Sequence, residues 1–235
     1  MAQIQNDQSS VQELALGTIE KKSNTTSRRG FLFKAGSLSL ASAFVLNACK
    51  KKTSNNTADL GSGDVGILNY AYALEQLEAA FYIQLLATPY SGITAAESTL
   101  LRDIRDHEIV HREFFKNALG ANAIGNLEVN FTSINFTSRA SVLGTAKAFE
   151  DLGVSAYNGA GQLIADVNYL ALAGKIVSVE ARHAAYIRDL ITPNSFADNT
   201  IVDANALDIA RTPAQVLAIA GAYITTPINA DNLPR

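Results

Sequence analysis

Glu108 and His111 sit three residues apart, and so do Glu180 and His183. Side chains three apart on a helix are neighbours. Each pair lies on the same line as apolar residues: Leu101, Ile104 and Phe115 for the first, Ile176 and Ile187 for the second. A Glu and a His on an apolar stripe are costly unless paired, hydrogen-bonded or bound to a metal. The chain has only 3 histidines, and two of them are placed this way. Two further carboxylates complete the pattern. Glu75 precedes Tyr82 by seven residues, and Glu150 precedes Tyr157 by seven. Seven residues is close to two turns, so each Glu shares a face with its Tyr. The order is Glu-x6-Tyr, Glu-x-x-His, Glu-x6-Tyr, Glu-x-x-His, with similar Glu-to-Glu steps in the two halves. Such a repeat implies a pseudo-twofold axis that gathers four Glu and two His at mid-bundle.

Two metal ions account for this set. Four carboxylates neutralise two divalent ions, and each ion receives one imidazole. The expected ligands are Glu75, Glu108, His111, Glu150, Glu180 and His183. The competing explanation is a purely structural buried polar network. Glu78 competes with Glu75, since it lies on nearly the same face; the Glu-x6-Tyr spacing favours Glu75. Tyr82 and Tyr157 are core residues that could also hydrogen-bond to a ligand. His107 points about 100° away from Glu108, which places it at the surface or behind a ligand. Asp106 and Asp151 could at most touch a ligand.

The elements that must position these residues are four helical runs. Apolar residues recur at helical spacing from about Asp64, around Leu101–Phe115, around Val142–Tyr157 and around Leu172–Leu190. Pro89 with Gly92, Gly120 and Pro193 punctuate the ends of the first, second and fourth runs. Gly153, Gly159 and Gly161 weaken the third, each by about 1 kcal/mol relative to Ala, so a break near Gly159–Gly161 is expected. The stretch from Gly120 to Ser138 has little helical pattern. About twenty extended residues reach about 60 Å, and a twenty-residue helix is about 30 Å long. This link can therefore run the length of a bundle. Thr212-Pro213 opens a short terminal helix. The fold class is all-α: a four-helix bundle with one long crossover and a short C-terminal helix.

Here the chain resembles the ferritin-like superfamily, which includes bacterioferritin, rubrerythrin and manganese catalase. It looks most similar to exported ferritin-like domain proteins of bacteria, through Leu74-Glu75-Gln76-Leu77-Glu78-Ala79-Ala80-Phe81-Tyr82 and Glu180-Ala181-Arg182-His183. The resemblance implies two Fe or Mn ions per chain and oxidoreductase chemistry on peroxide or dioxygen. A non-catalytic metal-binding or stress-protective module is the alternative. Rubrerythrins carry a separate Cys-rich iron site; this chain has 1 Cys, so a reductase role would need an external electron donor.

That cysteine, Cys49, closes an N-terminal address. Ser27-Arg28-Arg29-Gly30-Phe31-Leu32 precedes an apolar stretch from Leu38 to Leu46, which ends Leu46-Asn47-Ala48-Cys49. A charged region, a short apolar region and small residues at a cleavage point are the parts of an export signal. The stretch is too short to span a membrane. Arg28 and Arg29 resemble a twin-arginine signal, although Phe33 intervenes before Lys34. Leu-Asn-Ala-Cys resembles a lipobox, which implies lipidation of Cys49. A polar arm with a chance apolar patch is the alternative. The organisation expected is a signal over 1–49, a flexible tether over 50–63, the bundle over 64–192 and a C-terminal extension over 193–235. The protein is expected at the cell envelope or periplasm, held to a membrane through Cys49, with a homo-oligomer open. The net charge of −3 argues against nucleic acid as a partner, since no basic face neutralises phosphates.

Overall fold

The computed structural model describes residues 57–235. Arg28, Arg29 and Cys49 lie outside the described residues. Four long helices form the body: α1 (Gly63–Ala87), α2 (Ala95–Leu119), α3 (Arg139–Gly161) and α4 (Val167–Ile191). A short α5 (Pro213–Ala220) follows, and two-residue strands β1 (Ala58–Asp59) and β2 (Ile228–Asn229) pair in parallel. The architecture is the expected all-α bundle with a long crossover and a short final helix. No described helix is long and apolar enough to cross a membrane.

Local chemistry sets the helix ends. Thr94 caps α2 in a reciprocal box with Glu97, and Thr212 caps α5 with Gln215 in the same way. Ser138 and Asp166 cap α3 and α4 through their side chains. The α2 helix stops at Gly120, whose φ of 55° suits the only residue without a Cβ.

The antiparallel hairpins α1/α2 and α3/α4 are the most closely packed pairs, and α1 also contacts α3. Arg139, at the start of α3, bonds to Glu97 at the start of α2. Asp64, at the start of α1, accepts from the amides of Ala165 and Asp166, just before α4. So α1 and α4 start at one end, and α2 and α3 start at the other. The crossover carries the chain between these ends along α1. There Asn69 and Gln76, seven residues apart, accept from the amides of Ile124 and Leu127. Helix α1 is consequently buried on every face from Gly66 to Ala79.

Helix α3 ends at Gly161, within the stretch Gly159–Gly161 where a break was expected. Gly159 also serves a close approach: a Cβ there would lie 1.8 Å from the Arg211 carbonyl oxygen. This lets the C-terminal extension lie on α3, where the Arg211 amide donates to Ser155 O. The expected tether over 50–63 ends early. Leu60 is fully buried, and the Ala58 and Leu60 amides donate to Pro227 O and Asn229 O. The extension beyond Pro193 thus packs against the bundle and its first strand, a pairing with no local sequence signature.

Candidate metal centre

The helical period turns four carboxylates and two imidazoles into the middle of the bundle. Glu75, Glu108, Glu150 and Glu180 are all 0% exposed, and His183 is 5% exposed. His111 is half-buried. Two groups of four converge: Glu75, Glu108, His111 and Glu180 in one, and Glu108, Glu150, Glu180 and His183 in the other. In each group one atom from every residue lies within 4.8 Å of the rest. Such a cluster could hold a metal ion.

The two groups are related as the repeat implies. His111 Nδ1 lies 2.8 Å from Glu180 Oε1, 3.6 Å from Glu75 Oε2 and 3.8 Å from Glu108 Oε2. His183 Nδ1 lies 2.9 Å from Glu108 Oε1, 3.4 Å from Glu150 Oε2 and 3.8 Å from Glu180 Oε2. Glu108 and Glu180 therefore offer one oxygen to each group, and Glu75 and Glu150 belong to one group each. Despite the short separations, none of these atoms makes a hydrogen bond. Glu75 Oε2, both oxygens of Glu108, Glu150 Oε2, both oxygens of Glu180 and both Nδ1 atoms are buried without a partner. Orphaned buried polar atoms are uncommon and call for a cause.

The tyrosines cross between the halves. Tyr82 on α1 donates to Glu150 Oε1 on α3, and Tyr157 on α3 donates to Glu75 Oε1 on α1. Antiparallel α1 and α3 bring each Tyr level with the other helix's Glu rather than its own. Each outer carboxylate then has one oxygen tied and one oxygen turned into the cluster.

Burial and proximity disturb every charge here. Burial pushes the Glu75, Glu108 and Glu150 carboxyls up, against the nearby imidazoles, which pull them down. Glu180 behaves differently: burial raises it, but His111 and His183 outweigh burial and leave it lowered. Burial would lower both histidines, but the surrounding carboxylates raise His111 and His183 to about 12. Burial and the neighbouring Glu150 and Glu75 hold the Tyr82 and Tyr157 hydroxyls protonated.

Glu75, and not Glu78, belongs to one of the groups of four, while Glu78 lies beside them. Glu78 is only 4% exposed. Burial, then Glu108, Glu180, Glu150 and Glu75, push its carboxyl well above the usual range. It fills the space that Gly153 leaves open on α3. His107 was the less legible contact. Its Nδ1 lies 2.9 Å from His183 Nε2, across 76 residues of sequence, and no local pattern announces such a pair. Asp106 bonds to Arg105 at the surface, and Asp151 bonds to Arg188; neither bonds to the cluster.

A model of the ferritin-like domain family matches residues 63–193, the stretch that contains all four long helices and every residue of the cluster. No curated protein matches the chain.

Proposed function

The chain belongs to the ferritin-like domain family, and from that premise we propose that it is a dinuclear iron or manganese carboxylate protein of the cell envelope. The observation that carries this reading is the set of orphaned atoms. Buried polar atoms without a hydrogen bond are uncommon, and all eight such atoms in the cluster, in contact with one another only as Glu–His ion pairs, converge on the two groups of four. Carboxylate and imidazole donors suit iron and manganese. Glu75 and His111 would hold one ion, Glu150 and His183 the other, and Glu108 and Glu180 would serve both.

Such ions supply redox chemistry with peroxide or dioxygen. The chain's own residues prepare the site. Tyr82 and Tyr157 fix the orientation of Glu150 and Glu75 and so aim the free oxygens. Phe81 packs edge-on to Tyr82 at 5.1 Å and to Phe149 at 5.2 Å, which holds the Tyr82 ring in place. Four ionised carboxylates balance two divalent ions. Burial, and then the four neighbouring carboxylates, oppose the ionisation of Glu78 in the metal-free site. With one Cys in the chain, electrons for turnover would come from an external donor.

Export and anchoring belong to the same reading. They are supported by the order of Arg28-Arg29, the apolar stretch to Leu46 and Leu46-Asn47-Ala48-Cys49. A lipid on Cys49 would hold each chain at a membrane, a poor arrangement for a closed storage cage.

The deciding measurement is metal content by mass spectrometry, beside a Glu108→Ala/His183→Ala double variant. We expect about two iron or manganese ions per chain, lost in the variant. Steady peroxide consumption by the loaded protein supports an enzyme. Bound metal without turnover supports a non-catalytic metal-binding module, and no metal in either protein removes the reading.

A further inference from the structure

The two halves of the cluster are symmetric in their carboxylates but not behind their histidines. His183 Nδ1 faces Glu108, Glu150 and Glu180, which leaves Nε2 facing outward. That nitrogen meets His107 Nδ1 at 2.9 Å, with the two rings within 9° of parallel. His107 sits one residue before Glu108. The related position before Glu180 is Val179, which has no polar side-chain atom. Among the described residues nothing hydrogen-bonds to His111 Nε2.

The location matters as much as the bond. The tight pairs of the bundle are α1 with α2 and α3 with α4; α2 and α4 are not closely packed. His107 on α2 reaches across that seam to His183 on α4. His107 is exposed and His183 is buried.

We propose that His107 is a positioning residue that latches His183 across the α2–α4 seam and makes the two metal positions inequivalent. The inference rests on the dinuclear reading above. With Nδ1 turned to the ion, His183 carries its proton on Nε2 and donates it to His107 Nδ1. This bond fixes the tautomer and the ring angle of His183. An imidazole held this way returns to its ion faster than a free one. His111 lacks such support. The ion beside Glu150 and His183 is the slowly exchanging one, and the ion beside Glu75 and His111 is the labile one.

The test uses the full chain loaded with Mn²⁺ alone and then challenged with excess chelator, with retained manganese counted over time. Wild-type protein should lose manganese in two phases, about one ion in each. His111→Ala should retain only the slow phase. His107→Ala should accelerate the slow phase by roughly 10–100-fold, the usual effect of removing a partner behind a metal ligand, and leave the fast phase unchanged. His107→Gln, whose amide oxygen can accept from His183 Nε2, should restore much of the slow phase. A bundle merely loosened by substitution would speed both phases and gain nothing from glutamine. A single phase in the wild type, unchanged kinetics in His107→Ala, or a glutamine variant as fast as the alanine one overturns the proposal. Failure of the wild type to bind manganese or iron overturns both this inference and the dinuclear reading; bound metal with equivalent positions overturns this inference alone.

Discussion

The Glu78 carboxylate lies over Gly153: a Cβ on that glycine would be 3.1 Å from Glu78 Oε1. The glycine takes the place on α3 that corresponds to Glu78 on α1, three residues after Glu150 as Glu78 is three after Glu75. One half of the pseudo-twofold thus carries an extra acid, and the other half makes room for it.

Glu78 should make the metal-stripped protein sensitive to alkali. Its folded carboxyl sits well above the usual range, through burial and then Glu108, Glu180, Glu150 and Glu75. A raised folded value means that the folded state binds more protons than the unfolded one. The associated stability is present below about pH 4.5 and is lost as pH rises toward the folded value. Glu78→Gln keeps the shape and removes the titration. Urea unfolding of stripped protein should show the variant gaining on wild type from pH 5 to pH 8, by roughly 1–3 kcal/mol. Parallel curves at both pH values would contradict this.

Metal uptake should tighten as pH rises. His111 and His183 stand at about 12 without metal, and burial leaves Glu75, Glu108 and Glu150 raised. Protons and metal compete for the same atoms, so loading releases protons. Calorimetric titrations in buffers of different ionisation enthalpy should report that release. The raised histidines contribute stability below about pH 6.5 that fades as pH climbs toward 12. The gain in Tm on loading should therefore grow with pH.

The crossed tyrosines predict a pairwise specificity. Tyr82→Phe frees Glu150 and should weaken the ion beside His183; Tyr157→Phe frees Glu75 and should weaken the ion beside His111. Each should cost roughly 10-fold or more in affinity at one position. Stepwise binding isotherms of the two variants would separate them, and identical isotherms would show that the tyrosines serve packing only.

Gly159→Ala should destabilise despite alanine's better helix propensity. The new Cβ would meet the Arg211 carbonyl oxygen at 1.8 Å, and the backbone of the extension must shift. Overpacking costs about 1–3 kcal/mol, more than the about 1 kcal/mol gained by the helix. Gly144 in the same helix has open space around its Cβ position. Gly144→Ala should raise Tm, and the pair of melts isolates the effect of contact.

Arg28→Lys/Arg29→Lys should stop export, and Cys49→Ala should release the exported protein from the membrane fraction. Cell fractionation reads both. Normal export of the double-lysine variant would remove the twin-arginine reading, and membrane retention of the alanine variant would remove the lipid anchor.

The helices and their convergence were legible because a 3.6-residue period carries both. The same spacing that puts Ile104, Glu108 and Phe115 on one side of α2 turns Glu108 inward. The crossover was legible from length, since a patternless link between Gly120 and Ser138 is long enough to run along the bundle. Contacts between distant residues were not. The spacing put each Tyr on the same face as its own helix's Glu but did not say which Glu it would meet; the antiparallel run of α1 and α3 pairs Tyr82 with Glu150 and Tyr157 with Glu75. The end of α3 near Gly159–Gly161 was legible because propensity is local, whereas the approach of Arg211 to Gly159 is long-range and left no signal. The β1–β2 pair joins residues from the two ends of the described chain, and two-residue strands leave no periodicity to read.

The division of the cluster between the two hairpins also constrains the order in which the molecule matures. Hairpins α1/α2 and α3/α4 rest on near-neighbour contacts, which form early. Each carries only part of a coordination set: the group at His111 needs Glu180 from the other hairpin, and the group at His183 needs Glu108. A nascent chain with one hairpin released therefore offers three donors of a group and lacks the fourth. On the dinuclear reading, capture of an ion would be coupled to docking of the second hairpin on the first, and a filled centre would mark a finished bundle.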